Sequence, residues 1–376
     1  MLGLVIAGCD VSSGDDDAAQ PFVFRDLHLS QKDQQGRPLW KITSPETRYD
    51  LSRRIAHTGR LRGTLYRDGE PLYRLIAAHA VVINDGELVQ LEGPTRLERL
   101  DPKQPAVVTA QRVRWYPNQK RMIIDRSPKA IQGSLELTAP LARLFIDEDR
   151  LELRDQAVLR RGGRDPLEIK LGAVDWNPTS GDLMASGPVR GQRTLPEGGQ
   201  QRLTAPSLRG NTGSQIVDLQ PPVRLQDPTQ DLAIQAKTTR LNLLRQSASS
   251  AQAFEAQLGK ARLKGGNFEI DATRSTVVVT GGCRLTQPGA SLAAQRCRWH
   301  WKTGDVNASG GVLLRRQNPD QETRAERLQG RIQQDGFVEF SAPGGRVHSQ
   351  LRLPSPEASP FSGSPPGDAP TPAFQL

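Results

Sequence analysis

The chain has 376 residues, a hydrophobic fraction of 36 %, an aromatic fraction of 5 % and a formal net charge of +9. That apolar content is low for one large compact enzyme core and too high for a chain disordered throughout, which leaves an elongated fold with a thin core. The basic charge is carried by 40 Arg against 10 Lys, and Arg grips phosphate and carboxylate bidentately, so the charge alone admits nucleic acid or a phosphorylated lipid as partner.

The chain begins MLGLVIAGCD, a short apolar run closing on Ile6-Ala7-Gly8-Cys9. It resembles a bacterial lipobox, in which small residues precede a cysteine that is cleaved and acylated, although a basic first region and the usual signal-peptide length are missing. The other reading is an apolar strand that happens to carry a cysteine. On the first reading residues 1–9 are a signal remnant, Cys9 is the lipidation site, and residues 10–21 are a flexible linker holding the folded part off the membrane. Asp10, directly after Cys9, resembles the signal that keeps lipoproteins in the inner membrane. No later stretch approaches the ~18–20 apolar residues that span a bilayer.

From Trp40 one frame returns along the chain: apolar residues alternate, step by three, then alternate again. Trp40, Ile42, Ser44, Thr47 and Tyr49 fit it, followed by Tyr73, Leu75, Ala77, Ala80 and Val82, and by Ala106, Val108, Ala110, Val113 and Trp115. Leu135, Leu137, Ala139, Ala142 and Leu144 come next, then Leu167, Ile169, Leu171, Val174 and Trp176. Leu232, Ile234, Ala236, Thr239 and Leu241 repeat it, and Ala290, Leu292, Ala294, Cys297 and Trp299 make the last clear copy. Weaker copies centre on Ala205, Leu258 and Ala325; from Ser44 to Ala325, ten anchors take nine steps over 281 residues, about 31 each. The near-identical AQRVRW at 110–115 and AQRCRW at 294–299 are two copies of one strand.

Strict alternation is the mark of a half-buried strand, and the step of three inserts one residue as a β-bulge does, bending the strand while keeping one face inward. A second strand with glycine at its middle follows in several units, as in Val89, Leu91, Gly93, Thr95 and Leu97, or Val306, Ala308, Gly310, Val312 and Leu314. Turns are expected at Asn84-Asp85-Gly86, Pro117-Asn118, Asn177-Pro178 and Thr303-Gly304-Asp305. No window sustains a 3.6-residue period with caps, so the fold class is all-β, a stack of bent antiparallel hairpins with few helices. Residues 354–376, rich in Pro, Ser and Gly, are expected to be a disordered tail.

The inward positions are core or the lining of a long trough, and both readings stay open. The candidate lining comprises Trp40, Ile42, Tyr49, Tyr73, Leu75, Val82, Val108, Val113, Trp115, Leu137, Leu144, Ile169, Leu171, Trp176, Ile234, Leu292 and Trp299. Small inward residues such as Ala77, Ala110, Ala142 and Ala236 leave space between them that side chains or a ligand must fill. Cys283 and Cys297 fall on inward positions of adjacent strands, either as a disulfide worth ~3 kcal/mol or as two buried thiols. His28, His57, His79, His300 and His348 lack ligand spacing, and no nucleophile elbow or phosphate loop is present. No catalytic residue, metal or cofactor is expected, and the chain is not expected to be an enzyme.

The stretch Leu39 to Glu98 resembles LptC, a family of membrane-anchored periplasmic components of the lipopolysaccharide exporter. The features that carry this are Trp40 with Tyr49-Asp50, Tyr66-Arg67-Asp68-Gly69, Ala77 with Asp85-Gly86, and Leu91-Glu92-Gly93. The resemblance covers about residues 22–98. It implies an elongated β-jellyroll over residues 22–160, continued by the same repeat over 161–353, whose apolar groove takes the acyl chains of lipopolysaccharide. The implied partners are an inner-membrane Lpt ABC transporter and, by edge-strand addition, the next jellyroll protein or the outer-membrane Lpt translocon; nucleic acid is not among them. The implied place is the periplasm, anchored to the inner membrane. The alternative is a non-enzymatic β-repeat scaffold or a polyanion-binding envelope protein. Family members are shorter and anchor by a transmembrane helix, so this chain departs by its length and by the lipid expected on Cys9. A longer stack would reach an outer-membrane partner directly, through its last strands near Phe337 to Phe340.

Overall fold

The three-residue step of the repeat is the corner of a folded sheet. The computed structural model describes residues 22–162, 166–194, 199–300, 302–317, 320–331 and 348–352. Within them every strand pairing is antiparallel, and the helical segments are single 3-10 turns at Asn84–Gly86, Pro117–Gln119 and Pro228–Gln230.

Towards the N-terminus the corner lies inside long strands: Pro38–Asp50, Ile55–Arg67, Glu70–Ile83 and Leu88–Arg99. Ala77 pairs with Thr95 but His79 pairs with Glu92, so the register slips at the bend, where Gly93 takes φ +77°. In the middle of the chain the corner breaks the strand in two. Leu135–Thr138 pairs with Lys129–Gln132 and Ala157–Arg161, whereas Leu141–Phe145 pairs with Arg121–Arg126 and Arg150–Arg154. Long bent strands return at Ala261–Asp271, Thr276–Gln287, Asp305–Gln317 and Asp320–Arg331. One sheet is thus folded along a line of bends into two ladders whose inner faces meet, as the elongated jellyroll reading requires.

Each ladder carries an unbroken row of inward register partners. In the first ladder it runs Leu29, Ile42, Gly63, Leu75, Leu97, Val108, Ala130, Leu137, Leu159 and Ile169. It continues through Gly191, Leu203, Leu225, Ile234, Ala256, Leu263, Leu285, Leu292 and Leu314. In the second ladder the row runs Tyr49, Ala56, Val82, Val89, Trp115, Met122, Leu144, Leu151, Trp176 and Leu183. Gly210, Val217, Leu241, Ala248, Ile270, Val277, Trp299 and Val306 complete it. At ~4.8 Å per strand, the first row is on the order of 85 Å along the sheet.

The two ladders touch through inward aromatic residues, most of them in positions beside these rows. Trp40 meets Trp115 edge to face with ring centroids 5.6 Å apart, and Phe254 meets Phe268 at 4.9 Å. Among the turns expected from sequence, Asn84–Gly86 and Pro117–Gln119 lie at the free edge of the second ladder, opposite the corner, as do the Asn177-Pro178 and Thr303-Gly304-Asp305 turns. One weak repeat copy is out of phase. Leu258 pairs with Ala261 across a tight turn at the free edge of the first ladder, and the corner in that unit falls between Ser250 and Phe254. The signal Gly259-Lys260 after Leu258 is a hairpin turn, whereas the true corners keep apolar residues on both sides.

Candidate functional site

The candidate site is the space between the two inward rows, and its two halves differ. In the N-terminal half the rows are shut. Ile42, Tyr73, Leu75, Val108, Val113, Trp115, Leu137, Leu144, Ile169, Leu171 and Trp176, all candidate lining residues, are no more than 5 % exposed and share one core running from Ile42 to Val223. Trp40 and Val82 are half-buried against it, and Tyr49 is half-buried at the mouth of the second ladder. Beyond about residue 200 the same rows are less covered: Leu203, Leu225, Ile234, Ala256, Leu263 and Leu285 are half-buried on the first ladder, with Val217, Leu241, Val277 and Trp299 on the second, while Ile270 stays buried in a second cluster with Ala236, Phe254, Phe268, Val279 and Cys283. Leu292 is buried in a small separate cluster with Ala294, Ala308, Val312 and Leu328.

Every candidate lining residue of the described chain therefore falls on the inward phase of its ladder, and all but Tyr49, which donates its hydroxyl hydrogen to exposed Asp85 at 2.8 Å, pack in or against one of the apolar clusters. Val113 and Leu171 lie nearest the corner, pairing with Leu91 and Ala157, while Trp40 and Tyr73 lie towards the free edge, pairing with Leu65. Cys283 belongs to the first ladder and Cys297 to the second, pairing with Ala294 and Val279 respectively, and a disulfide joins them with Cα atoms 6.1 Å apart. The bond staples the two layers just inside the corner. Cys9, residues 1–9, the 10–21 linker, Phe337 to Phe340 and the 354–376 tail lie outside the described residues.

At the free edge of the closed half stands a polar cluster, buried at Tyr73, Arg99 and Asp149 and exposed at Thr179, that the repeat frame left unnoticed. Tyr73 and Arg99 are register partners at the edge of the first ladder. Asp149 and Thr179 occupy turns at the edge of the second. Arg99 Nε lies 3.3 Å from Asp149 Oδ2, with the two side chains 2 % and 0 % exposed. Tyr73 donates its hydroxyl hydrogen to Asp149, Thr179 donates to the other carboxylate oxygen, and Arg99 Nη2 donates to Thr179 Oγ1 at 2.8 Å. Arg99 Nη1 also donates to Asp101 Oδ2 and to the Gln104 carbonyl, each at 3.1 Å. Burial, then the neighbouring Asp149 carboxylate, pushes the Tyr73 phenol well above its ordinary value. The sequence held a signal for this cluster: Arg99 is in phase with Val89, Leu91, Thr95 and Leu97, an arginine where the alternation calls for an apolar residue. Gln31 Nε2 to Asn118 Oδ1 at 3.3 Å and Arg161 Nη1 to the Leu243 carbonyl at 3.4 Å cross the same mouth elsewhere.

Outward positions carry the charge. Arg112 and Arg114 share Asp125, and Arg240 grips Asp218 bidentately, which holds both carboxyls below their ordinary values. Such part-exposed pairs keep the outer faces hydrated and add little to stability. Among the described residues no group of three or more His, Cys, Asp or Glu is placed to hold a metal ion, and no helix is long and apolar enough to cross a membrane.

Comparison with known proteins adds a family to this geometry. No curated protein matches the chain. Among solved structures, the chain resembles LptH, the LptA-homologous periplasmic component of the conserved lipopolysaccharide transport device from Pseudomonas aeruginosa. That alignment has 15 % identity and a TM-score of 0.27, covering 33 % of this chain and 86 % of the other. Residues 10–127 match the family model described as lipopolysaccharide-assembly, LptC-related. The family that this N-terminal stretch matches is therefore the LptC-related one, the same family that Leu39 to Glu98 resembles.

Proposed function

We propose that the protein is a non-enzymatic, periplasmic carrier of lipopolysaccharide, which takes lipid from an inner-membrane ABC transporter and passes it towards the outer membrane between its two ladders. The observation that carries this reading is the pair of facing apolar rows, unbroken from Ile42 to Leu314 and from Tyr49 to Val306, in a chain whose first third matches a lipopolysaccharide-assembly family. Acyl chains gain ~0.8 kcal/mol per methylene removed from water, while a phosphorylated headgroup stays outside with the arginines of the outer faces. The half-buried stretch around Ile234, Leu263 and Trp299 is the less covered part of the rows and the part assigned to acyl chains in this reading.

Transfer by strand addition is supported at the N-terminal edge. Among the described residues the strand Phe22–Lys32 pairs on one side, with Pro38–Asp50, and leaves Phe22, Val23 and Phe24 exposed at 56 %, 57 % and 46 %. Acylation of Cys9 would tether that end to the inner membrane, and residues 161–353 would extend the jellyroll so that one chain reaches further across the periplasm. The closed N-terminal half favours a second reading there, a dry repeat scaffold. One experiment separates the two: a photo-crosslinking side chain at Ile234 or Trp299, followed by mass spectrometry of protein from its native envelope. Captured lipopolysaccharide is the expected result, and none at either position sinks the carrier reading.

A further inference from the structure

The closed half and its buried polar cluster are related. A charged pair taken out of water gains little net stability, and apolar side chains of similar volume often do better in its place. Arg99 and Asp149 nevertheless sit almost wholly buried, Arg99 in phase with Val89, Leu91, Thr95 and Leu97 and Asp149 in a turn of the facing ladder. Buried Arg99 Nε makes no aligned hydrogen bond despite its 3.3 Å approach to the carboxylate, so the cluster is not satisfied to the last donor. All its cross-layer contacts join the free edge of one ladder to the free edge of the other, across 76 residues for Tyr73 to Asp149 and 80 for Arg99 to Thr179. Polar edges of this kind can part and exchange their partners for water, whereas a seam of leucines would expose apolar surface on opening.

We propose that Tyr73, Arg99, Asp149 and Thr179 form a latch that holds the mouth of the N-terminal half shut and must open for acyl chains to pass beneath it. This rests on the carrier reading above. In the resting protein the lipid-accessible stretch is the one beyond residue 200, and the latched half is a closed segment between it and the N-terminal edge.

The test uses the full chain with Cys9→Ala and nitroxide labels on Lys103→Cys and Ser180→Cys, exposed positions in the turns that flank Arg99 and Thr179. Distances between the labels are measured by pulsed electron resonance with and without lipopolysaccharide, and retained lipid is assayed on the same samples. One narrow distance is expected without lipid, with a second population longer by several ångström when lipid is bound. Asp149→Asn should populate the longer distance without lipid. Tyr73→Phe, which keeps the shape of the ring, should do so by a smaller fraction. Retained lipid with an unchanged distance overturns the latch and leaves the carrier reading standing. Absence of retained lipid overturns both.

Discussion

Trp40 and Trp115 stand edge to face with ring centroids 5.6 Å apart, one from the free edge of the first ladder and one from the inward row of the second. Trp40 donates its indole hydrogen to Gln31 at 2.6 Å, and Trp115 is 1 % exposed. The contact spans 75 residues of sequence and fixes how far apart the layers stand at the start of the stack. Trp115→Ala should cost about 3–5 kcal/mol through lost burial and the cavity left behind, read as a lowered urea midpoint. Trp40→Ala, half-buried, should cost less.

Inward residues of the two halves should respond differently to a charge. Leu144 is 0 % exposed, so Leu144→Asp places a carboxylate among leucines and should lower stability by at least about 4 kcal/mol. Ile234 is half-buried, and Ile234→Asp should cost only about 1–2 kcal/mol while removing co-purified lipid. A denaturation curve and a lipid assay on both variants check this. Lipid retained by Ile234→Asp would move the occupied stretch elsewhere.

Alkaline pH should find Tyr73. Its phenol is held above the ordinary 10.0, by burial first and by Asp149 second. The stabilisation is fully present below the unfolded value near 10 and is lost as pH rises towards the higher folded value. Stability should fall above about pH 10, and Tyr73→Phe should flatten that limb. Absorbance titration of the tyrosines alongside circular dichroism gives the result; ionisation of all four tyrosines before unfolding would contradict the burial of this one.

The staple between Cys283 and Cys297 closes a loop of 14 residues' separation. Removing both cysteines should cost ~3 kcal/mol in the chain-entropy account of a loop this short. Thiol titration of the Cys9→Ala protein, unfolded without reductant, should find no reactive thiol. Two would mean that the pair is reduced.

Sequence alone determined the repeat. Period-two alternation with one inserted residue dictates a bent strand with a constant inner face, because side chains alternate across a strand and a bulge resets the phase. It therefore assigned Trp115, Trp176 and Ile234 to the interior, and the LptC-like residues between Leu39 and Glu98 pointed to the family that residues 10–127 match. What it could not decide was which stretch of that interior is shut. Tyr73, Arg99, Asp149 and Thr179 are brought together by the stacking and twist of separate hairpins, and no local pattern records a contact across 76 residues. Closure depends on how the two layers lie on each other, a non-local packing outcome, so Leu144 and Ile234 look alike in the repeat and differ in the fold.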